Sequence, residues 1–276
     1  MHRSAAEAAR TLKPRVIKAR NGGPFTLDGS RAYLIGHEQV AVIDPGPDEE
    51  EHIRALSVAL ASALEVKVLL THHHSDHAGA ALKLARELGA SIFGPPSCQP
   101  ISPASHRAST IPEDRPGLPF VLLQEGDEVL TSHGSLEVLE VPGHTRDHMA
   151  YYWPEADSLF VGDLLLGRGA TTWIGEYLES IGDYLGSLDR VESLGPSLIF
   201  PGHGPSITSP DRVIKRFRRH RLARLEEVHA ARLESPEADP AQLAAIIYDG
   251  DIPEKLKKAA VASVEAALFH LELEED

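Results

Sequence analysis

At 276 residues, 42% of them hydrophobic and 25% charged, the chain is long enough to bury a substantial core and has an ordinary globular balance. A formal net charge of −14 argues against general attraction to nucleic acid, which rests on clustered Lys and Arg. The lone cysteine, Cys98, excludes an internal disulfide, Met1–Arg20 lacks the apolar core of a secretory signal, and no apolar run reaches the ~18 residues of a membrane span, so the expected compartment is the cytoplasm.

In chain order, short apolar runs at Ala32–Ile35, Val40–Ile43, Val66–Leu70, Leu136–Val141, Met149–Trp153, Ser158–Val161 and Leu198–Phe200 predict strands. Helical spacing predicts helices over Glu49–Leu64, Ala78–Leu88 and Ile181–Leu194. The alternation predicts an α/β class with sheets covered by helices. Gly94–Leu118, rich in Pro and Ser, reads as a long irregular loop bordering a site. After Pro210 the strand pattern stops, and Arg212–Leu233, Pro240–Tyr248 and Pro253–Leu273 read as helices. The expected organisation is a catalytic domain over 1–209 and a small helical C-terminal domain over 210–276. Within the acidic whole, Arg212, Lys215, Arg216, Arg218, Arg219, Arg221 and Arg224 stand against a single Asp211. That helix presents either a phosphate-binding face or a solvated one paired with neighbours such as Glu226 and Glu227.

The stretch Thr71-His72-His73-His74-Ser75-Asp76-His77 packs four candidate metal ligands, His72, His74, Asp76 and His77, into one turn. A folded core has no structural use for such a density. The stretch follows a predicted strand and precedes a predicted helix. His72 and His74, two apart on extended backbone, project the same way, and Asp76 lies near a helix start that favours a carboxylate. Imidazole and carboxylate donors suit zinc, with manganese, iron or cobalt as substitutes. Three further candidates end predicted strands in glycine-bearing turns: His144 after Gly143, Asp163 after Gly162 and His203 after Gly202. Each alone reads as a turn residue. Together the seven exceed what one tetrahedral ion needs and suffice for two that share a carboxylate about 3.5–4 Å apart. The chemistry expected is metal-assisted hydrolysis.

The motif His-x-His-x-Asp-His, met by His72, His74, Asp76 and His77 and followed in order by His144, Asp163 and His203, resembles the signature of the metallo-β-lactamase-fold superfamily. Closer likeness is to the β-lactamase-like protein 2 group, carried by Asn21–Gly29, Gly143–Met149, Gly162–Gly167, Pro201–Pro205 and the tail from Ile247 through Leu271. The resemblance implies a four-layer αβ/βα sandwich with metals at one edge of the sheets and a winged-helix-like C-terminal unit. It also implies that His72, His74 and His144 hold one metal, that Asp76, His77 and His203 hold the other, and that Asp163 bridges them. Asp44 falls on an acidic position of the family, where it either orients a ligand or caps a strand end. The chain departs from the group at His73, Ser75 and Ser30-Arg31-Ala32, near the expected cleft. True β-lactamases of this fold commonly place a cysteine where Asp163 stands, which argues against antibiotic hydrolysis. Flavodiiron relatives replace an early histidine that this chain keeps as His74.

The expected enzyme is a di-zinc hydrolase, with manganese or iron as substitutes, in which a metal-bridging hydroxide attacks an ester-type bond. Asp76 orients that hydroxide or takes its proton. The substrate is a small or carrier-bound ester, such as a thioester or lactone. The competing expectation, implied by the relatives, is an endoribonuclease that holds single-stranded RNA on the basic helix 212–224. A mononuclear iron dioxygenase and a purely structural metal site are weaker alternatives. No membrane partner is expected, and no oligomeric state follows from the sequence.

Overall fold

A computed structural model describes residues 12–98, 119–169, 171–248 and 253–275. Six strands, β1 (Arg15–Lys18), β2 (Arg31–Ile35), β3 (Gln39–Ile43), β4 (Glu65–Leu69), β5 (Ser91–Gly94) and β6 (Phe120–Leu122), form one sheet in sequential order. Five more, β7 (Glu128–Thr131), β8 (Gly134–Glu140), β9 (Met149–Trp153), β10 (Ser158–Gly162) and β11 (Leu198–Pro201), form a second in the order β11-β10-β9-β8-β7. Pairing from β3 through β6 is parallel, as is β10 with β11, and the remaining neighbours are antiparallel.

Successive side chains of a strand face opposite ways, and the central strands of the first sheet are apolar on both faces. Ala32 and Leu34 of β2, Val40 and Val42 of β3, and Val66 and Val68 of β4 enter a core with α1 (Glu50–Leu60), α2 (Ser75–Ala78) and α3 (Ala81–Leu88). Their alternates, Tyr33, Ile35, Ala41, Ile43 and Leu69, join Leu136, Val138, Tyr151, Trp153, Phe160 and Phe200 in a core between the sheets. This is why the runs are continuous rather than alternating. The buried stripe of α1, Ile53, Leu56 and Leu60, stabilises by on the order of 5 kcal/mol. No helix among the described residues is long and apolar enough to cross a membrane.

The chain divides into two units that interleave in sequence. Both sheets and α1 to α3 belong to the first, which runs through Glu140 and adds Met149–Arg168 and Pro196–Thr208. The second comprises Val141–His148, Gly169–Gly195 and the chain from Ser209 onward. It holds α4 (Ser180–Leu194), α5 (Pro210–Glu234), α6 (Pro240–Ile247) and α7 (Glu254–Glu275). Its last segment begins at Ser209, and its two earlier segments carry no compositional break in the sequence. Proline in the first turn starts both α5 and α6, and Asp239 with Gln242 closes a capping box on α6. Helix α5 buries Ile214, Phe217, Arg221, Leu225 and Val228 at helical spacing. Of the expected loop Gly94–Leu118, Gly94 closes β5, Pro96–Cys98 makes a 3₁₀ turn, and 99–118 lie outside the described residues.

Candidate metal centre

The candidate ligands of the first unit stand where its strands end. Six residues after Leu69, at the close of β4, the chain enters α2 at Ser75, putting His72 and His74 ahead of the short helix and Asp76 and His77 in it. Asp163 directly follows β10, and His203 comes two residues after β11. Two buried tyrosines help to set the ligand-bearing ends: the Tyr151 hydroxyl donates to the Leu70 carbonyl and Tyr33 to the Pro201 carbonyl, each at 2.6 Å. Burial raises the pKa of both phenols, keeping them as donors.

The rings converge as the spacing predicts. His72 Nε2 and His74 Nδ1 lie 3.1 Å apart. His77 Nε2 lies 3.2 Å from His203 Nε2, and Asp163 Oδ1 is 3.4 Å from each of these two nitrogens. Asp76 Oδ2 is 3.1 Å from His203 Nε2 and 3.6 Å from His77 Nε2. Asp76, His77 and His203 thus bring one ligand atom each within 4.8 Å of one another, and so do Asp44, His72 and His77. His72, His77 and His203 are buried, with 0 to 1% of their surface exposed.

Asp44 settles which nitrogen each ring presents. Its Oδ1 accepts from the Thr71 backbone N–H at 2.8 Å, and Oδ2 accepts both the Thr71 hydroxyl at 2.7 Å and His77 Nδ1–H at 2.8 Å. With its own proton directed at Asp44, the Thr71 oxygen accepts from His72 Nδ1–H at 2.9 Å. Both imidazoles are therefore held in the tautomer whose Nε2 carries the lone pair, the form a metal binds. In the second unit His144 follows the same rule: its Nδ1–H donates to the Trp173 carbonyl at 2.8 Å. Asp44 thus both shapes the turn and orients two candidate ligands. It sits at φ +47°, a left-handed conformation that its three hydrogen bonds support. Thr71, Tyr33 and Tyr151 escaped sequence reading; only Thr71, adjacent to His72, offered a local signal.

Gly202 owes its place to space. A Cβ there would lie 2.4 Å from His77 Cε1 and 3.0 Å from Asp163 Oδ1. Gly143 combines φ +136° with a virtual Cβ 2.6 Å from the Tyr184 backbone. The departing segment near residue 30 is stitched to the site, since Ser30 bridges His203 and the Arg31 N–H donates to Gly202 O at 3.0 Å. The Arg31 side chain pairs with Asp28 instead of entering the cluster.

The electrostatics match a cation site. Burial alone would depress the His77 and His203 imidazoliums, yet Asp163 and the other carboxylates hold His77 well above the ordinary histidine value and His203 at about 9. Burial would likewise raise the carboxyls. Instead His77 and His203 hold Asp76 at about 2, and His203 and His77 hold Asp163 well below the usual carboxylate range. Buried nitrogens and carboxylates this close need positive charge among them, from protons or from metal. Nitrogen and oxygen donors without a thiolate fit zinc, iron or manganese.

A family model of the metallo-beta-lactamase superfamily matches residues 25–203. The chain belongs to the metallo-β-lactamase superfamily. With its clustered ligands it is a metallohydrolase of that fold. A Caenorhabditis elegans protein named beta-lactamase-like protein 2 homolog is 30% identical over 260 residues, 92% of this chain and 82% of that protein. An Aspergillus chevalieri protein named atrochrysone carboxyl ACP thioesterase is 29% identical over 262 residues, 91% of this chain and 78% of that one. The solved structure of a beta-lactamase domain protein from Burkholderia ambifaria matches with a TM-score of 0.80 at 23% identity, over 97% of this chain and 89% of that one. That likeness shows the fold. The superfamily and group indicated by the sequence motifs are those found.

Proposed function

We propose that the chain hydrolyses thioesters or related esters of small or carrier-bound acids at a centre of two metal ions, zinc first among them. In this reading His72, His74 and His144 hold one ion, Asp76, His77 and His203 the other, and Asp163 serves both. The observation that carries it is the pinning of His72, His77 and His144 through Nδ1, which readies each Nε2 for a metal. Metal ions held there would supply a nucleophilic hydroxide near neutral pH and Lewis acidity toward the substrate carbonyl. Asp76, ionised at neutral pH, orients the attacking water through a hydrogen bond. Asp44 and Thr71 keep the rings from turning during turnover. The cytoplasm remains the compartment proposed.

The substrate class is supported by the Aspergillus chevalieri relative, named as a thioesterase of a carrier-bound acid. It is supported also by the basic helix α5. Arg218 pairs with Asp189 and Glu192, Lys215 with Glu192, and Arg224 with Glu227, so three of the seven cations an RNA backbone would call on are already paired within the helical unit.

The test is a panel of acyl-carrier and acyl-coenzyme A thioesters, lactones, phosphodiesters and single-stranded RNA, run on protein of measured metal content. Thioester turnover that Asp76→Ala abolishes in a folded protein is expected. RNA cleavage alone, with a steep fall of RNA affinity against salt, would establish the ribonuclease reading instead. One iron per chain would overturn the two-metal reading.

A further inference from the structure

Helix α5 places a charge where its packing calls for an aliphatic residue. Ile214, Phe217, Leu225 and Val228 make its buried stripe, and Arg221 stands in the middle of that stripe with 6% of its surface exposed. Two neighbouring cations of the helix have carboxylates: Arg218 has Asp189 and Glu192, and Arg224 has Glu227. Arg221 has none among the described residues. Its Nη2 donates to the Thr172 carbonyl at 3.0 Å, its guanidinium lies 5.6 Å from the centre of the Tyr184 ring, and its Nε has no hydrogen-bond partner. A guanidinium taken out of water without a counter-charge costs several kcal/mol, and burial lowers the Arg221 pKa.

The same side chain lines a cavity of about 20 Å³ within the helical unit, together with Arg224, Leu225, Tyr248, Ser263 and Ala267. By the measure in which one water needs about 10–15 Å³, there is room for a single small occupant. Among the described residues, two arginines and no carboxylate line the cavity. Tyr248 adds a phenolic hydroxyl, while the Ser263 hydroxyl is spent on the Ile174 carbonyl at 2.6 Å.

We propose that this cavity is a binding site for a small monoanion, a halide or the carboxylate head of a short acid, that neutralises Arg221 and ties α5 to α7. An anion there completes the guanidinium's hydrogen bonds. It would also make the helical unit's stability depend on the anion present, independently of the metal centre.

The experiment is thermal melting of the full metal-loaded chain in methanesulfonate buffer at constant ionic strength, titrated with sodium chloride and separately with sodium acetate. A saturable rise in Tm of about 2–4 °C is expected, and Arg221→Met, which keeps length without charge, should remove it. Chloride and acetate arms distinguish the halide from the carboxylate. Since Arg221→Met could fail to fold, crystals of the unaltered protein grown in bromide supply a measurement that needs no variant, with an anomalous peak expected beside Arg221 Nε. An empty cavity in those crystals, or equal anion responses in the two proteins, would overturn the proposal.

Discussion

Asp44 is the residue on which the metal centre turns. It is not expected to touch metal, yet one carboxylate fixes two imidazoles, His77 directly and His72 through Thr71. Asp44→Asn keeps the size but puts an NH2 group in place of one accepting oxygen, so it cannot serve the Thr71 N–H together with the Thr71 hydroxyl and His77 Nδ1–H, and the turn that orients the two rings loses its anchor or a ring loses its partner. Partners of this kind change metal affinity by about 10–100-fold. The expected outcome is a loss of that size in chelator competition, with far-ultraviolet circular dichroism unchanged; affinity within twofold of the parent would refute the assignment. Sequence made the candidate ligands legible because so many donors in one turn have no packing purpose. It left Asp44 undecided between capping and orienting, since the choice depends on residues 27 and 33 positions away. The spacing of Gly202 suggested a sharp turn, whereas the constraint is the His77 ring lying where a Cβ would sit.

Among elements, legibility followed burial. Strands β2, β3, β4, β8, β9, β10 and β11 announce themselves by apolar runs, and the long helices by their periodicity. Strands β1, β6 and β7 were missed, and all three are sheet edges, with exposed residues interrupting the pattern. The fourth, β5, has only four residues and ends in glycine. Helix α6, with eight residues, is too short to persist on propensity alone. Its start depends on Asp239, whose carboxylate accepts from the Gln242 N–H at 2.8 Å while the Gln242 side chain accepts from the Asp239 N–H at 2.8 Å. Asp239→Ala removes half of that box and should cost about 1 kcal/mol. For a chain of this size that lowers Tm by about 2–4 °C. Calorimetry should show this without change in metal content, and an unchanged Tm would mean that packing on α7 alone holds the helix.

At the scale of the whole molecule, metal and protons compete for one set of groups. Without metal, the carboxylates hold the His203 imidazolium at about 9 and His77 well above the usual value. A histidine whose pKa is raised on folding contributes stability that is full below its unfolded value, about 6.5, and is lost as pH rises through the folded value. The metal-free protein should therefore weaken between about pH 6.5 and 9. Metal binding runs the other way, because ligands must shed protons to coordinate. Each proton displaced changes affinity tenfold per pH unit, about 1.4 kcal/mol. Stripping the metal should lower Tm at every pH, and the gap between loaded and stripped protein should widen as pH rises toward 9. Scanning calorimetry at pH 6.5, 7.5 and 8.5, with metal content measured in each sample, provides the comparison. A gap that stays constant or narrows would mean that His77 and His203 do not exchange protons for metal, and the second metal position would have to be built from other residues.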